Sequence, residues 1–242
     1  MNCDEYIRSG EVLKNFKNEI IFDENLNEQF YLKVNDQLKK YIEEQIIDEY
    51  KLNDEGHNIN HINYVLKRAI EISQFYSVNI NILYTCVMFH DIACHINRDF
   101  HEKLSAERAY HDKFLQQFFS SLEMNMIKEA IEDHRASLQR EPRNLYGKIL
   151  SSADRKVDIY QYLHDSISYD IKKNPTHSKQ MAIMNSYEFA TKKYGKNGYA
   201  IKKIYVNDEK YKQFLNHLQY LIENKNQYFE IASDVYDKIR NQ

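Results

Sequence analysis

The sequence predicts an all-α protein, and two observations lead to this prediction. Only 5 glycines and 2 prolines occur in 242 residues, whereas all-β proteins need turn residues at roughly every tenth position. Apolar residues recur at helical spacing over long segments, of which 28–49 is a clear example. We therefore expect a compact bundle of many helices joined by short links.

The length of the chain favours one domain with helical extensions over two separate domains. We expect an N-terminal helical extension over residues 1–50, a central core over 51–160, and C-terminal helices over 161–242 that pack on or cover the core. The segments KKNPTH (172–177) and KYGKNGY (193–199) predict breaks between the C-terminal helices.

Composition and charge exclude several functional classes. The net charge is −3 and no strongly basic block occurs, which argues against a long nucleic acid as partner. No apolar run is long enough to span a membrane, and the N-terminus is too polar for a signal peptide. The three cysteines (Cys3, Cys86 and Cys94) have no CxxC spacing and are predicted to be reduced thiols. We therefore expect a cytoplasmic protein with no membrane partner.

Four predicted helices carry a histidine or an aspartate where an apolar core residue is expected. These residues are His61, His90 with the adjacent Asp91, His134 and Asp154. His61, for example, lies one helical turn before Val65 in the apolar stripe of its helix. Taken singly, each residue also fits a hydrogen-bonded core histidine or a helix-capping aspartate. Taken together, they must either satisfy one another in a buried polar network or share a cation, because an unpaired buried carboxylate costs several kcal/mol.

The order of these residues resembles the HD-domain superfamily of metal-dependent phosphohydrolases. The matching segments are GHNINHINYVLKRA (56–69), CVMFHDIA (86–93) and ILSSADR (149–155). The resemblance covers roughly residues 50–160, and it implies an HD domain whose metal ligands are His61, His90, Asp91 and Asp154. Many relatives carry arginine where this chain has Tyr64, so a substrate contact often made there is not expected here.

The resemblance also bears on the number of metal ions. In the binuclear branch of the superfamily, two further histidines lie between the His-Asp pair and the last aspartate. Here His101 and His134 stand in those places, and Asp91 would bridge both ions. His134 also lies on the apolar face of its predicted helix, whereas His101 fits a solvent-exposed helix start equally well. Imidazole and carboxylate together suit Mn, Fe, Ni, Co or Zn, and two ions per chain are favoured over one.

The implied reaction is hydrolysis by a metal-activated water, with Asp91 as the catalytic residue that bridges the ions and takes up the proton of the water. Three cations are candidates for binding the substrate phosphate, although each also fits a solvated surface charge: Arg98, Arg135 and Lys148. Glu102 and Asp133 are candidates to orient the ligand histidines. His57 and His95 are predicted to lie outside the ligand set.

The expected substrate is a small phosphate ester, with a nucleotide favoured, and a homodimer is expected from the long amphipathic helices. Two other functions stay open. A di-iron oxygenase built on the HD fold would use the same six ligands with O2. A regulatory module without catalysis would keep the metal centre to bind a metal or a nucleotide. The sequence contains no glycine-rich phosphate loop that would identify the substrate.

Overall fold

The computed structural model describes residues 23–241, and over this range the chain is helical without any strand. This confirms the predicted fold class. The predicted N-terminal extension lies partly outside the described residues, as does Cys3. Between residues 23 and 241, twelve α-helices follow one another: α1 (Glu24–Lys33), α2 (Asp36–Gln45), α3 (Ile59–Ser73), α4 (Ile80–Phe89), α5 (His101–Tyr110), α6 (Lys113–Phe118), α7 (Ser121–Glu132), α8 (Leu145–Ala153), α9 (Ile159–Lys173), α10 (Lys179–Tyr194), α11 (Glu209–Glu223) and α12 (Lys225–Arg240).

The described residues separate into two units. The first comprises Asp23–Arg155 together with Lys202–Asp208, and the second comprises Lys156–Ile201 together with residues 209–241. The first unit therefore includes the described part of the predicted N-terminal extension. Apolar side chains of α1 and α2, such as Phe30 and Ile42, are buried in the same core as those of α3, α4, α7 and α8.

The long helix expected over 28–49 is interrupted between α1 and α2. The side chain of Asn35 accepts hydrogen bonds from the backbone amides of Gln37 (2.9 Å) and Leu38 (3.3 Å), and it thereby begins a new helix. The apolar pattern did not reveal this break, because Val34 and Leu38 stay four residues apart and both are buried. The strong helix-capping preference of asparagine was the available clue.

Helix α4 is the central helix of the first unit, and eight of its ten residues are buried. This agrees with its apolar character on all sides, and the helix ends directly before His90 and Asp91. Helix α3 begins at the cap residue Asn58, whose side chain accepts hydrogen bonds from the amides of Asn60 and His61. The sequence therefore brings polar side chains to the ends of helices, where they leave the apolar middle of the bundle undisturbed.

The second unit has its own apolar core, formed by α9, α10, α11 and α12. Leu163, Phe214, Leu218 and Ile231 are among its buried side chains. Helix α9 ends within the predicted break 172–177, and α10 ends within the predicted break 193–199. None of the helices between residues 23 and 241 combines the length and the apolar character that crossing a bilayer requires.

Between α10 and α11, the segment 202–208 belongs to the first unit. Val206 is buried in the apolar core there, and the Lys203 ammonium donates a hydrogen bond to the carbonyl oxygen of Ala136 at 2.8 Å. Asp208 accepts hydrogen bonds on both carboxylate oxygens from Nη2 of Arg68, at 2.5 and 2.6 Å. Arg68 is 1% exposed and Asp208 is 3% exposed, so this is a buried ion pair.

We expect Asp208→Ala to lower the free energy of unfolding by about 3 kcal/mol, because it leaves the buried guanidinium of Arg68 without its principal counter-charge. Urea unfolding followed by circular dichroism measures this change. The matched control is Lys51→Ala, since Lys51 pairs with Asp48 at the exposed surface and such pairs contribute about 0–1 kcal/mol. Equal losses of unfolding free energy in Asp208→Ala and Lys51→Ala would contradict a stabilising role of the buried Arg68–Asp208 pair.

Candidate metal centre

Six predicted ligands converge around one buried carboxylate in the first unit: His61, His90, Asp91, His101, His134 and Asp154. Oδ2 of Asp91 lies 3.4 Å from Nε2 of His61 and 3.3 Å from Nε2 of His90. Oδ1 of Asp91 lies 3.1 Å from Nε2 of His101 and 3.4 Å from Nε2 of His134. Asp91 therefore stands between two pairs of imidazoles, with one oxygen directed to each pair.

Asp154 completes the group that contains His61 and His90. Its Oδ1 lies 3.1 Å from Nε2 of His61 and 4.0 Å from Nε2 of His90. In each of the two groups, the atoms that could bind a metal lie within 4.8 Å of one another. The side chain of Asp154 is 25% exposed, whereas the other five side chains are at most 8% exposed. Solvent therefore reaches this cluster mainly beside Asp154.

The tautomers of three of the four histidines follow from their hydrogen bonds to the backbone. In each case Nδ1 lies 2.6–2.8 Å from the carbonyl oxygen three residues earlier: Val87 for His90, Arg98 for His101 and Ile131 for His134. A carbonyl oxygen only accepts, so Nδ1 carries the proton and Nε2 carries a lone pair when the ring is neutral. The Nε2 atoms that face Asp91 are therefore electron-pair donors, as a metal ligand must be.

These electron-rich atoms are buried without adequate partners. Nε2 of His101 and Nε2 of His134 lie 3.2 Å apart, and two lone pairs at that distance repel each other. Nε2 of His61, Nε2 of His90 and Oδ1 of Asp91 are buried and have no hydrogen-bond partner of good geometry. A cation shared by each group would satisfy all of these atoms. The nitrogen and oxygen donors present therefore fit divalent Mn, Fe, Co, Ni or Zn.

The ends of three helices add to the negative potential of the cluster. Helices α4, α7 and α8 end at Phe89, Glu132 and Ala153, each within two residues of a predicted ligand. A helix carries partial negative charge at its C-terminus, and its last carbonyl groups lack helical partners. Carbonyls in the last turns of α4 and α7 accept hydrogen bonds from Nδ1–H of His90 and His134, and the dipoles of all three helices favour a cation between the ligands.

The pKa values of the charged groups reflect their mutual proximity. Burial raises the pKa of Asp91, but the charge of His90 and the close approach of the surrounding histidines outweigh this effect and hold the pKa of Asp91 well below its usual value. Burial lowers the pKa of His61, but the adjacent carboxylates of Asp154 and Asp91 raise it to about 9. In the metal-free protein, the His61 imidazole is therefore protonated at neutral pH, and a proton competes there with a cation.

The three cations predicted to bind substrate are each paired with a carboxylate. The partners are Asp54 for Arg98 at 2.7 Å, Glu102 for Arg135 at 3.1 Å, and Glu141 for Lys148 at 2.6 Å. Arg135 has the closest relation to the cluster, because it follows His134 in the chain and its partner follows His101. Their role in substrate binding stays a prediction.

The residues expected to orient the ligand histidines were wrongly assigned. Oε2 of Glu102 lies 3.9 Å from Nδ1 of His101 and instead accepts a hydrogen bond from Arg135. Asp133 is fully buried, and its carboxylate binds Arg140 and Arg143. The backbone carbonyl of Arg98 orients His101 and that of Ile131 orients His134 instead. Sequence alone could not reveal this, because every residue has a carbonyl.

Two side chains outside the predicted ligand set also lie beside Asp91. A ring nitrogen of His57, the Sγ of Cys94 and a carboxylate oxygen of Asp91 lie within 4.8 Å of one another. Burial raises the pKa of the Cys94 thiol, and the charge of Asp91 raises it further. His95 is exposed, and its ring binds the side chain of Asn53 outside the cluster. The spacing of Cys94, three residues after Asp91, was visible in the sequence.

Comparison with family models shows that residues 58–157 match the HD domain. The matched range begins at the cap residue of α3 and includes all six predicted ligands. Comparisons with curated proteins and with solved structures gave no significant match.

We expect the chelator-treated protein to lose up to about 3 kcal/mol of unfolding free energy between pH 6.5 and pH 9 because of His61. The pKa of His61 is higher in the folded protein than its ordinary value of 6.5. Its protonation therefore stabilises the fold fully below pH 6.5, and this contribution disappears as the pH rises towards 9. Chemical unfolding at a series of pH values measures the slope. A His61→Gln variant with the same slope would contradict the assignment.

Proposed function

We propose that this chain, whose residues 58–157 match the HD domain of metal-dependent phosphohydrolases, hydrolyses a small phosphate ester, with nucleotides as the favoured substrates. One observation carries this proposal. The carboxylate of Asp91 lies between two pairs of buried imidazole nitrogens, an arrangement that suits two divalent transition-metal ions bridged by one aspartate.

In this proposal His61, His90, Asp91 and Asp154 hold one ion, and Asp91, His101 and His134 hold the other. When bound, such ions lower the pKa of a water molecule and polarise a phosphoryl oxygen. The chain itself positions the ligands and keeps most of the cluster dry, since five of the six side chains are buried. Substrate approaches beside Asp154, the most exposed of the six.

Asp91 is the catalytic residue of the proposal. Both of its oxygens face imidazoles, and its pKa is held well below the usual value. It therefore stays ionised and serves better as a ligand common to both groups than as an acceptor of the proton from water. The cation that stands closest to the cluster in the chain, Arg135, is the favoured contact for the substrate phosphate.

The proposal is tested by reconstituting the purified protein with Mn, Fe, Co, Ni or Zn and measuring phosphate release from nucleoside mono- and triphosphates and dinucleotides. We expect Asp91→Ala to lower hydrolysis to background, because both groups lose their common ligand. His111→Ala is the matched control, since this histidine is exposed on the surface beyond α5. Full turnover by Asp91→Ala would contradict the mechanism. Oxygen uptake in place of phosphate release would contradict the reaction class.

We expect His134→Ala to lower the metal content by about one ion per chain, because it removes one of the two imidazoles from its group. Inductively coupled plasma mass spectrometry of the dialysed protein measures the content. His111→Ala again serves as the control. An unchanged ion count in the His134→Ala protein would argue against a second ion.

We expect Arg135→Ala to lower kcat/KM by about 10- to 100-fold, as the loss of a charged hydrogen bond to the substrate predicts. Metal content should stay unchanged, because Arg135 binds only Asp99 and Glu102 in the described structure. Steady-state kinetics with metal analysis of the same samples checks both points. A parallel loss of metal would show that Arg135 holds the segment that carries the metal ligands and does not act by binding the substrate.

A further inference from the structure

Beside the two groups that contain the six ligands, a third group of metal-binding side chains uses the same aspartate. His57, Asp91 and Cys94 each offer one ligand atom, and these atoms lie within 4.8 Å of one another. Asp91 is 2% exposed, and its Oδ1 has no hydrogen-bond partner. The third group is the one that contains sulfur.

His57 is held in the manner typical of a metal ligand. Its Nδ1 lies 2.7 Å from Oδ1 of Asp54. The other oxygen of Asp54 accepts a hydrogen bond from Arg98 at 2.7 Å. A carboxylate that binds one ring nitrogen orients the imidazole and leaves the other nitrogen, Nε2, as an electron-pair donor. Arg98, predicted from the sequence to bind substrate, thus holds the residue that orients His57.

The ring of His57 lies next to both groups of the candidate centre. Its centroid is 5.9 Å from that of His61 and 6.3 Å from that of His101. The carbonyl of His57 accepts a hydrogen bond from the side chain of Asn53, which also binds the carbonyl of Asp91 at 2.9 Å. The backbones that carry His57 and Asp91 are therefore connected through one side chain.

Cys94 lies on the same turn as Asp91, because its backbone amide donates a hydrogen bond to the carbonyl of Asp91 at 3.0 Å. The thiol is partly buried. Cys86, in contrast, is completely buried in the apolar core of the first unit. The two cysteines thus form a matched pair, one beside the candidate centre and one in the core.

We propose that His57, Asp91 and Cys94 form a third cation position, which takes a thiophilic divalent ion such as Zn²⁺ or Co²⁺. Thiolate is a soft ligand that favours such ions over Mg²⁺ or Mn²⁺. On binding, the thiol loses its proton to the solvent and a sulfur–metal bond forms, while the charge of the ion compensates the thiolate. Binding of a cation by His57, Asp91 and Cys94 does not require that the protein hydrolyse phosphate esters.

The experiment uses anaerobic titration of the metal-free protein with Co²⁺, because a cobalt–thiolate bond has a charge-transfer absorption that nitrogen and oxygen ligands lack. We expect this band in the wild type and in Cys86→Ser. In Cys94→Ser we expect no band and one cobalt ion fewer per chain. In Asp54→Asn, the cobalt dissociation constant obtained from this band should rise about 10-fold, because His57 loses the partner that orients it.

Three results would overturn the third position. The first is bound cobalt without the band, and the second is a band that survives in Cys94→Ser. The third is loss of the band in Cys94→Ser with an unchanged number of cobalt ions, because Cys94 would then bind an ion of the other groups. A protein that shows the band but releases no phosphate contradicts the proposed function alone.

A second measurement does not require the Cys94 variant to fold. In a Cys3→Ser background, we expect Zn²⁺ to slow the reaction of Cys94 with a thiol reagent at least tenfold, whereas Mg²⁺ leaves the rate unchanged. Equal rates with and without Zn²⁺ would overturn the proposal. The core residue Cys86 should be unreactive in the folded protein under both conditions.

Discussion

The carboxylate of Asp91 imposes the main constraint on the first unit. It is buried at the end of α4, the most apolar of the described helices, and imidazole nitrogens face both of its oxygens. A buried carboxylate surrounded by lone pairs is electrostatically costly unless protons or cations lie between them. Protonated His61 meets part of this requirement in the metal-free protein. The remaining lone pairs of the cluster require a cation, and the surrounding helix ends direct the ligand atoms towards the place where it would bind.

The arrangement depends on the ends of helices more than on their apolar faces. Helices α4, α7 and α8 end at the cluster, so the polar residues that follow them need not interrupt any helical hydrogen bonds. The carbonyls left free at these ends bind Nδ1 of His90 and His134 and thereby direct Nε2 inward. One feature of helix geometry thus supplies both the tautomer of the ligands and a favourable potential for a cation.

The fold class and the burial of His61, His90, Asp91, His134 and Asp154 could be predicted from local patterns in the sequence, whereas the inclusion of His101 followed from the family resemblance. Few turn residues and regular apolar spacing indicate helices, and a histidine in an apolar stripe indicates burial. The location of His101 was uncertain from its helix-start position, and only the packed structure shows it buried beside Asp91. Asp133 binds Arg140 and Arg143 from the loop that follows it, and Glu102 binds Arg135 at a separation of 33 residues. The path of the loops determines these contacts, and no periodic pattern indicates them.

Arg68 and Asp208 are separated by 140 positions, and this separation affects the order in which the protein can mature. During synthesis, every candidate metal ligand is part of the nascent chain once residue 154 has been added. The buried guanidinium of Arg68 must still wait for Asp208, which follows α9 and α10 in the chain. A domain generally folds as a unit, so the first unit reaches its final stability late in translation. A nascent chain that ends before residue 208 would therefore carry a complete set of ligands on an incompletely stabilised scaffold.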